Sequence, residues 1–562
     1  MKKDNLSIVG FLLITLLTFI FIVYSSHLEV QPVLNNMEDE KLLIKKPNSF
    51  IEYHIKDNEF ILDKDKTLYL SVDILSKHLM VKTYFDPEAK IAIITTLDKV
   101  IRFYGETDKV KINDREVDHI KPMIINDGKP LIPINQIEGD LNIDSNISEG
   151  TNNVVINSLL DNSAIGKTSK NNVILKKEKN IWANIVGILN EGEKLEIIGE
   201  DNGWVRVVTS DSTEGFIKEQ YVVNREEVIG VQPEKSQSIW QPERDKIFLT
   251  WESVYSRNPD TKKISPMDGL NVISPTWIHL ISPDGQLKHK ISKNYIRWAK
   301  KRGYKVWALF SNSFDPKLTD EFLNNTTARE RVIGDLIKLI KDNNMDGINI
   351  DFENVYLKDK ELLVQFIREM TPIFHENNLV VSIDVTVIGG SDNWSRFLDR
   401  KALGEVVDYM AVMTYDEHWA SSPVSGSVAS LGWVDKSIER ILEEVPAEKI
   451  LLGLPFYTRI WTETPSNSKA NKVNVKSKAI SMNTARNILE KDNVIKLWDE
   501  NAGQYYVVYS EGNKVYKIWM EDSKSIKLKT DIVNKYNLAG VAAWRRGFET
   551  EDIWTTINEN IN

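Results

Sequence analysis

The sequence predicts a multidomain chain. An N-terminal transmembrane helix is followed by an α+β domain, a small all-β domain, and a (β/α)8 barrel with an α+β insertion between its strands 7 and 8. Three observations predict this. An uncharged apolar run, Leu6–Tyr24, opens the chain. Short alternating segments punctuated by Gly and Pro follow it. From about residue 244, apolar strands and amphipathic helices alternate until eight strand–helix units are complete.

Composition sets the limits. At roughly 150 residues per domain, 562 residues make about four units. With 42% hydrophobic and 27% charged residues, the chain is neither disordered nor collagen-like. The formal charge of −10 leaves no basic excess to hold a phosphate backbone, so nucleic acid is not an expected partner. The absence of cysteine excludes disulfides, thiolate metal sites, iron–sulfur clusters and a cysteine nucleophile. With only 8 histidines, a multi-histidine metal site is disfavoured, and no metal or cofactor is expected. The 15 tryptophans suit sugar stacking as well as core packing.

Lys2 and Lys3 precede the run Leu6–Tyr24, which as a helix rising about 1.5 Å per residue is long enough to cross a bilayer. The basic flank places the N-terminus inside and the rest outside. Residues 1–27 are thus expected to be a cytoplasmic stub and membrane anchor, with cleavage as a secretory signal the alternative. Residues 28–50 are polar and charged and predict a tether. From 51 to 160, short strands and turns predict an α+β domain. Within it, Tyr69–Leu75 leads into a helix, Thr83–Ile94 forms two strands about an Asp86-Pro87 turn, and Lys129–Pro133 closes a similar unit. This order resembles the copper amine oxidase N-terminal-like domain, a stalk module whose name does not imply copper. Residues 165–224 alternate as half-buried strands, including Lys194–Ile198 and Trp204–Val208, with Gly203-Trp204 and Gly215-Phe216-Ile217 as punctuation. That pattern resembles a bacterial SH3-like barrel, a module that binds peptidoglycan in many proteins and only spaces domains in others. Residues 225–243 predict a linker.

The last region, 244–562, supplies the eight strands. They are Ile247–Trp251, Leu270–Ile278, Lys305–Phe310, Gly347–Glu353, Val380–Val385, Val407–Met413, Ile450–Pro455 and Gly540–Trp544. The gap from about 457 to 537 is too long for one helix. Tyr505–Tyr509 and Val515–Trp519 inside it predict a hairpin, hence an inserted subdomain.

The fourth strand carries the chemistry. In Asp346-Gly-Ile-Asn-Ile-Asp-Phe-Glu353, side chains alternate faces, so Asn349, Asp351 and Glu353 share one face and Ile348, Ile350 and Phe352 the other. In a barrel the polar set must point inward. Three polar groups there are costly as packing but apt as chemistry near the C-terminal mouth. Residues two apart on a strand lie about 6.5–7 Å apart on the same side of a substrate. They do not easily flank a glycosidic bond from opposite sides. A carboxylate behind the first instead raises its neighbour's proton affinity and can hold a group on the substrate, which is the logic of substrate-assisted hydrolysis.

D-G-I-N-I-D-F-E resembles the D-x-x-D-x-D-x-E signature of glycoside hydrolase family 18, the chitinase-like family. Met413-Thr-Tyr-Asp416 resembles its M-x-Y-D motif, and Trp544 stands where the family carries a tryptophan under the bound sugar. Trp307–Ser311 falls at the family's third-strand serine motif without its glycine pair. The resemblance implies a retaining hydrolase of β-linked N-acetylglucosamine. In it Glu353 is the acid and then the base, Asp351 orients the acetamido group, Tyr415 bonds its oxygen, and Met413 and Asp416 support the sugar. Asp346, at the strand's start, reads as a support residue. Trp251 and Trp277 are further strand-end aromatics able to stack on sugars. The family's second Asp is Asn349 here. It is expected to bond Asp351 as an amide without sharing a proton, which would shift the acid limb of the pH profile. The resemblance lies nearest the bacterial wall-lytic and spore-associated branch. The expected partner is peptidoglycan or another N-acetylglucosamine-containing glycan. A chitinase, an endoglycosidase on other glycans and a non-catalytic lectin remain open, although lectins of the family commonly lose the acid that Glu353 supplies.

Overall fold

The computed structural model describes residues 41–561 except 47–48, 55–57, 80, 106, 119, 148–153, 211–212, 231–245, 466–472 and 491–492. The predicted membrane-spanning run and residues 28–40 lie outside the described residues, as does most of the predicted linker. Among the described residues no helix is long and apolar enough to cross a membrane. The chain divides into two compact units, one reaching Glu234 and the other formed by Lys235–Asn562 together with the short segment Leu97–Val100.

The first unit contains both small domains. The α+β domain has two four-stranded sheets, one five-stranded antiparallel sheet and the helix Val72–His78 around a shared apolar core. The Asp86 carboxylate accepts from the Glu88 and Ala89 N–H groups at 3.0 Å, closing the predicted turn between strands Lys82–Asp86 and Ile91–Thr95. One expectation is corrected. Residues 41–46, assigned to the tether, form a strand that runs parallel to Val154–Ser158 and antiparallel to Ser49–His54. The reason is burial of Leu42, Leu43 and Ile44, each contributing about 1.5–3 kcal/mol. The all-β domain is a seven-stranded sheet from Ser163 to Val228, so residues 225–228 belong to its last strand rather than to a linker. Its tightest hairpin turns at Asn202 and Gly203, both at positive φ (50° and 74°), joining Lys194–Asp201 to Trp204–Thr209.

In the second unit all eight predicted strands form. They are β1 (Ile247–Glu252), β2 (Val272–Leu280), β3 (Lys305–Ser311), β4 (Gly347–Asp351), β5 (Val380–Thr386), β6 (Tyr409–Met413), β7 (Ile450–Pro455) and β8 (Gly540–Trp544). Neighbours pair in parallel in sequence order, and β1 pairs with both β2 and β8, which closes the barrel. The lower interior is apolar: Ile247, Leu249, Val272, Trp307, Leu309, Val380, Tyr409 and Leu451 pack together. Trp307 stacks on Tyr409 at 5.6 Å. Gly453 lets β7 approach β6 closely, because a Cβ there would meet the Val412 carbonyl at 2.2 Å. Above it the inward positions become polar, so the filled barrel carries a polar floor at the C-terminal ends of its strands.

The insertion is a five-stranded antiparallel sheet within Tyr457–Met520, with the helix Met482–Ile488. Tyr505–Tyr509 and Val515–Trp519 lie in its hairpin, as predicted. The helix Ser523–Tyr536, placed within the insertion by sequence, packs on β7 and β8 instead and serves as the barrel's own crossover.

Candidate active site

Asn349, Asp351 and Glu353 face the barrel's mouth because β4 alternates and its apolar partners Ile348, Ile350 and Phe352 are buried on the other face. A cavity of about 250 Å³ opens there. It is lined by Asp351, Glu353, Met413, Tyr415, Asp416, Trp251 and Trp544 from the sequence prediction. Phe314, Asp384, Thr386, Val387, Trp394, Trp433 and Tyr457 complete the wall. No lining residue is a lysine, arginine or histidine, so four carboxyl groups share one cavity without a cation in its wall.

The strand ends at Asp351, so Glu353 needs other support. Asn312, fully buried just past β3, supplies it. Its Oδ1 accepts the Glu353 N–H at 3.1 Å, and its Nδ2 donates to the Glu353 carbonyl at 2.7 Å. Sequence reading missed Asn312, whose hold on Glu353 is through backbone groups and leaves no pattern in the chain.

Asp351 and Glu353 are neighbours in this wall, and the charge on each acts on the proton affinity of the other. Burial, then the Glu353 and Asp384 charges, raise Asp351 well above the usual carboxylate range. Burial, then the Asp416 charge, raise Glu353 to about 7. Asp351 Oδ1 is buried without a hydrogen-bond partner, an arrangement that costs about 1–3 kcal/mol. Burial also holds the Tyr415 hydroxyl protonated, well above its ordinary range. Asp416 adopts φ +60°, and its Oδ1 accepts from Tyr457 Oη at 2.6 Å and from Arg459 at 3.3 Å. The Asp416 charge is therefore balanced from outside the cavity wall.

Three site expectations are corrected. Asn349 does not bond Asp351. Its Oδ1 accepts from Trp251 Nε1 at 2.8 Å and Ser274 Oγ at 3.1 Å, and its Nδ2 donates to Asp384 Oδ1 at 2.8 Å. Trp251 is 1% exposed and spends its N–H on Asn349 and, at 3.2 Å, on Asp384, so it forms the floor rather than a stacking face. Trp277 is fully buried outside the cavity, edge-on to Tyr295, with its N–H bonded to Asn258. A register shift between Thr276 and Ile278 accompanies its outward turn, while Ser274 points inward. Trp544 remains half-buried in the wall, with its ring 6.0 Å from Trp251. Asp346 lies at the opposite end of β4, where it bonds Lys300 and the Val306 N–H and supports the strand.

Residues 251–549 match the family model for glycosyl hydrolases family 18, more than half of the chain. The chain belongs to that family. This family 18 glycosidase also matches the bacterial SH3 domain over 171–223 and the copper amine oxidase N-terminal domain over 36–156. It is 27% identical over 303 residues to the uncharacterized glycosylase YvbX of Bacillus subtilis, covering 50% of this chain and 85% of that one. It is 28% identical over 258 residues to the cortical fragment-lytic enzyme of the same species, covering 45% of this chain. The match spans 58% of that relative's length. The fold is shared with the Bacillus megaterium spore cortex-lytic enzyme SleL (TM-score 0.51, 23% identity, 62% of this chain and 78% of that one). It is shared equally with a chitinase from Chromobacterium violaceum (TM-score 0.50, 21% identity, 56% and 98%).

Proposed function

We propose that this glycosidase cleaves β-linked N-acetylglucosamine in peptidoglycan with retention, using the substrate's own acetamido group as nucleophile. The observation that carries this reading is the Asp351–Glu353 pair in the cavity wall, one member of which keeps a buried oxygen without a hydrogen-bond partner. In the first step the Glu353 proton passes to the glycosidic oxygen as its bond to C1 breaks. The acetamido carbonyl oxygen forms the new bond to C1, giving an oxazolinium ion. Asp351 accepts the acetamido N–H, and the Tyr415 hydroxyl donates to the acetamido oxygen. Water then attacks C1, the Glu353 carboxylate takes its proton, and the ring opens. Two inversions give net retention. Trp544 offers an apolar face to the sugar, with Met413 and Asp416 beside it.

Glu353 must be protonated for the first step. Its proton is held up to about pH 7 by burial and by Asp416, so kcat/KM is expected to fall tenfold per unit above that value. A rate that instead rises through pH 7–9 would contradict the acid role.

The peptidoglycan assignment is supported by two relatives named for cortex lysis and by the bacterial SH3 domain. The basic flank and the apolar run Leu6–Tyr24 support a single-pass membrane anchor with the barrel outside the cell, and release after signal cleavage is the alternative. Chitin is the second substrate reading, favoured by the 22% identity to human di-N-acetylchitobiase. Digestion of purified peptidoglycan followed by mass analysis of the new reducing ends separates the classes. N-acetylglucosamine at those ends is the expected result, and N-acetylmuramic acid would overturn the assignment.

A further inference from the structure

Asp384 is 3% exposed, lines the reaction cavity and lies in none of the motifs that identify the family. It stands on β5. Because Asn349 pairs with Ser382 and Ile350 with Ile383, Asp384 is level with Asp351 on the adjacent strand, about 4.8 Å away in backbone spacing. The two carboxyl groups are treated differently. Asp384 receives two N–H donors, from Asn349 at 2.8 Å and Trp251 at 3.2 Å. Asp351 has an oxygen with no donor, and its other partner is Glu353. Two buried carboxyl groups this close do not both ionise readily, and the one with more donors keeps the charge.

We infer that Asp384 is a positioning residue that carries the buried negative charge beneath the reaction centre, and that this charge favours a proton on the neighbouring Asp351–Glu353 pair. The second position of the acidic motif on β4 holds no charge in this chain. Here β4 carries the amide, Asn349, and β5 carries the carboxylate, with one hydrogen bond joining them. The titratable groups facing Asp384 are Asp351 from β4, Glu353 just past its end and Tyr415 from the segment after β6, while β1 contributes the uncharged Trp251. Burial first, and then the Glu353 charge, raise Asp384 well above the usual carboxylate range, and the Asn349 and Trp251 donors oppose that rise without cancelling it.

The inference rests on the proposed roles of Asp351 and Glu353, and the experiment separates the two. Asp384→Asn, the exchange Asn349→Asp/Asp384→Asn, and Glu353→Gln are each assayed in the full chain across pH. Asp384→Asn removes a like charge beside Asp351, so the alkaline limb should move down by about one pH unit. The exchange puts carboxylate and amide back on one hydrogen bond with strands reversed, and should return the limb to the wild-type position. An unmoved limb in Asp384→Asn, or a rate lowered equally at every pH in both variants, overturns the inference and leaves Asp384 a packing residue. If Asp384→Asn does not fold, the exchange decides alone: a wild-type limb supports the inference and a displaced one overturns it. Turnover by Glu353→Gln would instead break the proposed mechanism. An inactive Glu353→Gln beside an unmoved Asp384→Asn limb breaks only the inference.

Discussion

Glu353→Gln is expected to lower kcat by about 10²–10⁴-fold, the usual contribution of a positioned general acid. The amide keeps the size of the acid but has no acidic proton to give the leaving oxygen. The substitution should leave the site's shape unchanged. Asn312 grips the main chain of residue 353 on both its N–H and its carbonyl, independently of the side chain. Sugar binding should therefore persist, measured by quenching of tryptophan fluorescence, to which Trp544 in the cavity wall contributes. Near-normal turnover by this variant would remove Glu353 from the chemistry. Loss of binding together with turnover would point to a distorted cavity instead.

Much of this arrangement is readable from the chain. The eight barrel strands are short apolar runs between amphipathic helices, and each forms where the pattern places it. The inward face of β4 follows from alternation alone, because Ile348, Ile350 and Phe352 leave Asn349, Asp351 and Glu353 no other side. The same argument applies to β5, where Ser382, Asp384 and Thr386 alternate with Ile383 and Val385. Asp384 was thus legible without any motif to draw attention to it. Other features depend on distant partners. Residues 41–46 look like tether because Lys41, Lys45 and Lys46 surround three apolar residues. Their strand is made by pairing with Val154–Ser158, far along the chain. The register shift that accompanies Trp277's outward turn has no signature in the sequence. Trp394, Trp433 and Phe314 reach the cavity from segments between strands, whose paths local pattern does not fix. The insertion's limits blurred because the helix Ser523–Tyr536 follows directly on its last strand, Lys514–Met520.

The second large effect concerns the substrate. If the acetamido oxygen is the nucleophile, replacing the 2-acetamido group by a hydroxyl removes the attacking atom while leaving the glycosidic bond and Glu353 in place. Intramolecular attack of this kind is worth effective concentrations of about 10⁵–10⁸ M, so a fall of at least about 10³-fold in kcat/KM is expected. The protein offers an obvious partner for the missing group in the unpartnered Asp351 Oδ1, and the Tyr415 hydroxyl lines the same cavity. Asp384 and Asp416 also line it, but each is held by its own donors, Asn349 and Trp251 for one, Tyr457 and Arg459 for the other. Neither is as free as the acetamido oxygen to bond C1. The decisive measurement is therefore kcat/KM for a matched pair of β-glycosides with the same leaving group, one with the 2-acetamido substituent and one with a 2-hydroxyl. Turnover confined to the acetamido sugar is the predicted result, and comparable cleavage of both would contradict substrate assistance.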